Sequence, residues 1–176
     1  MTENEPGHHL WQHGVSVGLN DANGVGFWTE GLYLNPERDG TFHLAPLTPP
    51  TVHENRANWT VTTQWRAPEG DPMLWETQAW TLEDRGGAFA LDLDWTIQAM
   101  VDLRFGKYGY GGLFLRMPWR AGNGAALRTS DGATTPGDAE GKRARWVGLS
   151  MPIPSRPQGP GCGLRCSRAA TPCAGG

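Results

Sequence analysis

No cysteine occurs before residue 162, and the three that follow, Cys162, Cys166 and Cys173, fall at C-x3-C-x6-C spacing. An odd count at that spacing matches neither a disulfide framework nor a standard zinc pattern, so we read them as incidental. Charge is also scarce, at 19% of residues, and 18 acidic against 15 basic side chains leave a net charge of -3. Without a basic field, nucleic acid and anionic lipid surfaces are excluded as expected partners. Charged residues and glycines interrupt every apolar run well short of the roughly 18 residues that a membrane helix needs. The first residues carry no basic segment followed by an apolar one, which makes the cytoplasm the expected compartment. Also missing are a G-x-S-x-G elbow, an H-E-x-x-H pair and the kinase motif set, which removes the enzyme classes recognisable from a short motif.

What is abundant is turn chemistry and tryptophan, with 25 Gly, 14 Pro and 9 Trp in 176 residues. That mixture suits short strands joined by turns and suits long helices badly, so the expected class is all-β. Between residues 59 and 97 the two-residue period is clearest. Trp59, Val61, Thr63 and Trp65 alternate with polar residues; Leu74, Glu76, Gln78, Trp80 and Leu82 form a second alternating set with mixed faces; Phe89, Leu91, Leu93, Trp95 and Ile97 form the strictest one. Turns at residues 67–71 and 83–87 join them into a meander. Upstream, residues 14–19 and 26–34 read as strands around a turn at residues 20–24, and downstream residues 110–117 and 143–149 read as strands. Residues 121–141 lack periodicity and are expected to be a surface loop. The expectation is one β domain over residues 1–154. Residues 155–176, which show no strand pattern, would follow it as an unfolded or out-of-frame tail.

Two clusters could carry chemistry. His8, His9 and His13 bring three of the five histidines into six residues. On a helix His9 and His13 could share a metal, with a third ligand drawn from Glu30, His43, His53 or Glu54; on extended chain they suit acid–base work at a pocket mouth, or simple turn hydrogen bonds. The second cluster is Asn20, Asp21, Asn23, Gly24, Phe27, Trp28 and Glu30, where amides and carboxylates accompany aromatic rings. Sugars are bound by such sets, because their C–H faces stack on rings while their hydroxyls need polar partners; a plain turn beside a core tryptophan has the same composition. Asp92 and Asp94 share a strand face, as solvated carboxylates commonly do. The glycine-rich run at residues 104–112 lacks the setting of a phosphate loop.

Three passages together resemble a known family: HHLWQHGVSVGLNDANGVGFWTEG at residues 8–31, KYGYGGLFLRMPW at 107–119 and RARWVGLSMP at 143–152. They are similar to the bacterial PmoA-type family of soluble domains. That resemblance implies a large β-sandwich protein often considered alongside carbohydrate metabolism, with strands expected before the His pair and after the last passage, so that this chain would be a truncated member. Despite the methane-oxygenase label, the chain has no run of the length a membrane subunit of that enzyme requires.

The combined expectation is an antiparallel β-sandwich, meander-rich and of the supersandwich kind, incomplete at its ends. Its leading function is binding or processing of a carbohydrate, with His8, His9, His13 and Glu30 as acid–base or ligand groups. Asn20, Asn23, Trp28, Tyr110 and Arg116 would line the site. A metal-dependent oxidoreductase or lyase using the His cluster, and a noncatalytic interaction module, are the alternatives. The sequence names no cofactor, settles no metal and leaves the oligomeric state open.

Overall fold

The computed structural model describes residues 14–28, 37–109, 111–116, 122, 124–151 and the backbone of 162–165. The described residues form eleven strands and one helical turn: β1 Val15–Ala22, β2 Val25–Phe27, β3 Thr41–Leu44, β4 Thr51–His53, β5 Arg56–Arg66, β6 Pro72–Asp84, β7 Phe89–Ala99, β8 Gly112–Leu115, β9 Ala126–Thr129, α1 Pro136–Ala139, β10 Trp146–Ser150 and β11 Cys162–Arg165. All named strand pairs are antiparallel, and the fold class is all-β. The chain divides into two compact units, Met1–Met117 and Pro118–Gly176.

In the first unit the meander β5-β6-β7 is extended by β3 in the order β3-β5-β6-β7, with β4 also pairing with β5. Period-two patterning sets the register. Trp59 faces Trp80 and Trp65 faces Leu74 across β5–β6, while Gln78 faces Trp95 and Glu76 faces Ile97 across β6–β7. One sheet face is therefore apolar and tryptophan-rich. The opposite face carries threonines, glutamines and charged side chains, including the exposed Asp92 and Asp94.

A second sheet in this unit has the order β2-β1-β8. Its hairpin turns on Asn23 and Gly24, with φ of 54° and 85°, the paired left-handed conformation of a type I′ turn. The register slips between Leu19 and Ala22, where Asp21 has φ 60° and bulges the strand. This hairpin places Ala22 and Phe27 against Trp65, Ala67, Met73 and Leu74, which together form the buried core, with Leu19, Val25, Phe42, Ile97 and Leu103 packed around it. The rings of Phe27, Phe42 and Trp65 meet at centroid separations of 4.9–5.7 Å in edge and tilted contacts. Gly40 stands where a Cβ would collide with the Phe27 ring, so only glycine lets the chain pass the core there.

The second unit contains a sheet of order β11-β10-β9. Here the structure differs from the sequence reading. Residues 121–141 contain β9 and the short α1, capped by the Thr135 side chain on the Asp138 N–H, and not loop alone. Likewise Cys162–Arg165 pairs with β10, although the local sequence shows no alternation; the ladder rests on backbone groups, which any residue but proline supplies. Among the described residues no helix is long and apolar enough to cross a membrane.

Candidate functional site

Alternation along β1 sends Leu19 into the core and turns Ser16, Gly18 and Asn20 to the other face of the β2-β1-β8 sheet. The register Leu19↔Phe27 puts Trp28 beside Gly18 and Gly26 beside Asn20. On the other side Ser16↔Phe114 and Gly18↔Gly112 are direct partners. The result is a floor of small residues, Gly26, Gly18 and Gly112, rimmed by polar and aromatic side chains.

The absent Cβ atoms show what the floor makes room for. A Cβ on Gly26 would lie 2.7 Å from Asn20 Oδ1 and 3.1 Å from Asp39 Oδ1, so two oxygen acceptors converge over that glycine. On Gly18 it would lie 3.2 Å from Trp28 Cε3, which places the indole over this position. Trp28 meets the Phe114 ring edge-on at 6.0 Å and 80°, and the Arg116 guanidinium carbon lies 5.0 Å from the centre of the Phe114 ring. Trp28, Phe114, Arg116, Asn20 and Asp39 are all half-buried. Acceptors, a guanidinium and two aromatic rings thus share one sheet face.

Of the residues expected from sequence to line a site, Asn20, Trp28 and Arg116 come together on this face. Asn23 does not join them. Its Nδ2 donates to the Asp102 carbonyl at 2.8 Å, its Oδ1 accepts from the Arg104 N–H at 2.8 Å, and its own N–H donates to the Arg104 carbonyl. It clamps the turn onto residues 102–104. His8, His9, His13, Glu30 and Tyr110 lie outside the described residues. The proposed third ligands are apart from this face: His43 on β3 contacts Thr41 Oγ1 at 3.0 Å, and His53 and Glu54 are exposed at the β4–β5 turn. Among the described residues no group of three or more His, Cys, Asp or Glu could hold a metal ion.

The sequence reading missed Asp39 and Phe114 as members of the face. It also missed a buried polar cluster beneath the apolar side of the other sheet. Glu76, 3% exposed, accepts from the Trp65 indole at 3.0 Å, the Trp95 indole at 2.6 Å and the Gln78 amide at 2.8 Å, and Gln78 in turn accepts from Trp80 at 3.1 Å. The available signal was that Glu76 and Gln78 sit in phase with Leu74, Trp80 and Leu82, two polar residues at core positions.

Fold and site together describe an antiparallel β protein that presents a polar, aromatic-rimmed sheet face. The chain belongs to DUF6807, a family of unknown function, whose family model matches residues 1–166. No curated protein and no solved structure matches it. The resemblance to the PmoA-type family is corrected by this finding: the match spanning the chain is to DUF6807, and no PmoA-type family matches. The passages that suggested it are short and do local structural work. Asn23-Gly24 makes the hairpin turn, and Gly111 and Gly112, with φ 147° and 102°, open β8. Motifs of that kind recur wherever a β chain needs the same turn.

Proposed function

We propose that this protein binds a small carbohydrate on the glycine-floored face of the β2-β1-β8 sheet. The observation that carries the reading is the convergence of Asn20 and Asp39 oxygens over Gly26, on the face that also bears Trp28, Phe114 and Arg116. A sugar ring presents an apolar C–H face and a rim of hydroxyls. Aromatic rings suit the first; paired acceptors and a guanidinium suit the second. Gly18 and Gly26 let the Trp28 indole and the Asn20 side chain settle directly on the sheet, and the open space over Gly112 leaves room for a sugar ring beside them.

The test is calorimetric titration of the full chain with a panel of mono- and disaccharides, repeated on Asn20→Ala and Trp28→Ala. The reading expects at least one sugar to bind with millimolar affinity or better and each substitution to weaken it about tenfold, a loss of 1.4 kcal/mol. No heat with any sugar, or binding indifferent to both substitutions, would reject it.

A further inference from the structure

A second surface, on the other sheet, carries an independent argument. On the polar face of β3-β5-β6-β7 the register aligns His43, Gln64, Trp75 and Gln98 side by side, one from each of four adjacent strands. Strand spacing makes that row roughly 14 Å long, three intervals of about 4.8 Å. Beside it runs a ladder of Thr62, Thr77 and Thr96, again direct cross-strand partners. Arg66 flanks the row, its Nε donating to Gln64 Oε1 at 2.6 Å.

Trp75 is out of phase with the core. It is the one aromatic ring that these strands place on this face, half-buried between two glutamines, while Gln98, His43 and Thr96 are exposed. On the opposite face the indoles of Trp65, Trp80 and Trp95 donate to Glu76 or Gln78. The indole N–H of Trp75 has no acceptor among the described residues, nor have the side chains of Gln98, Thr62, Thr77 and Thr96 a hydrogen-bond partner there. Met100, 46% exposed, lies beside the row with its Sδ 4.0 Å from Gln64 Nε2. A protein partner would therefore find two large apolar side chains, Trp75 and Met100, on an otherwise amide- and hydroxyl-bearing surface, short of the aromatic and apolar core that stable interfaces use. A linear oligosaccharide fits better: one ring stacks on the indole, and its neighbours' hydroxyls meet the exposed Gln98 amide and the threonine hydroxyls, Gln64 being buried and already bonded to Arg66 and Met100.

We infer that the Trp75 row is a glycan-binding surface for a linear oligosaccharide, separate from the β2-β1-β8 face and independent of its reading. The test is affinity gel electrophoresis of the full chain through soluble mixed-linkage β-glucan, xylan, galactomannan and starch. Trp75→Ala, the Gln98→Ala/Thr96→Ala double variant and Trp28→Ala are run beside it, with near-ultraviolet circular dichroism confirming their fold. The expected result is retardation by at least one polysaccharide, lost tenfold or more in Trp75→Ala, reduced at least threefold in the double variant and unchanged in Trp28→Ala. Should Trp75→Ala fail to fold, the double variant, built at exposed positions, decides alone. Absence of retardation in every gel overturns the inference. So does retardation that survives in the row variants, or that Trp28→Ala alone abolishes, the latter assigning the binding to the other sheet.

Discussion

Trp65 and Glu76 are joined across β5 and β6 by a 3.0 Å hydrogen bond from the indole N–H to Oε2, although neither is the other's direct cross-strand partner. The same carboxylate receives Trp95 from β7 at 2.6 Å, so one buried side chain ties three neighbouring strands on their inner face. Replacing Glu76 with Ala would leave two indole N–H groups and the Gln78 amide without their acceptor. Unsatisfied buried donors cost about 1–3 kcal/mol each, and partial relaxation makes a total near 3 kcal/mol the expectation. Urea unfolding followed by tryptophan fluorescence measures it, and Glu76→Gln, which keeps one acceptor oxygen, should fall between Ala and wild type.

Gly40→Ala should be among the most damaging single-methyl additions in the chain. Its Cβ would enter the Phe27 ring and approach the Arg66 carbonyl at 2.6 Å, and neither a core ring nor backbone can step aside easily. Overpacking of this kind costs about 1–3 kcal/mol or more. Thermal unfolding should show a midpoint lower by several degrees.

Asn23 is expected to matter for stability and little for ligand. Asn23→Gly keeps the left-handed turn and loses two side-chain hydrogen bonds; Asn23→Ala loses the bonds and strains φ 54° as well. The ordering expected in denaturant titrations is about 1 kcal/mol lost for Gly and about 2 kcal/mol for Ala. Sugar affinity should stay within twofold of wild type in both.

Gly26→Ala probes the candidate face with little effect on folding. The new methyl would meet Asn20 Oδ1, the end of a flexible side chain, and displace it. Any sugar held by the convergence of Asn20 and Asp39 should bind about tenfold more weakly, a loss of 1.4 kcal/mol, while the unfolding midpoint moves little. Equal affinity in the variant would show that this convergence does not hold the ligand.

At the far end of the sheet the hydrogen bond from Arg85, reinforced by the charges of Arg85 and Arg56, holds the Glu83 carboxyl below its ordinary value of 4.5. A depressed carboxylate contributes stability above its unfolded-state value, and that contribution disappears as pH falls through the folded-state one. The stability gap between wild type and Glu83→Gln should therefore be present at neutral pH and shrink as pH falls below 4.5 towards the lowered folded-state value. Added salt should shrink it too, because these side chains are solvent-accessible.

The meander was legible because its period-two alternation is long and bounded by turn residues: the stretches read at 59–65, 74–82 and 89–97 lie inside β5, β6 and β7. The same holds for the hairpin turn at Asn23-Gly24. Strands β3, β4 and β9 were not legible, since three or four residues show no period; the equally short β2 and β8 were read from the turn and the glycine pair that open them. β11 was hidden because its pairing uses backbone groups and no side-chain pattern. The candidate face was half legible. Asn20, Trp28 and Arg116 stand out as residue types, but that they share a face depends on the Leu19↔Phe27 and Ser16↔Phe114 registers.

By itself, then, the sequence determined the all-β class, the central meander and which side chains each strand turns to a common face, because alternation is a local property of extended chain. Only the tertiary structure decided which strands are neighbours. Cross-strand register depends on long-range hydrogen bonding and core packing, and it is register that put Trp75 between Gln64 and Gln98, Asn20 over Gly26, and Glu76 within reach of two indoles.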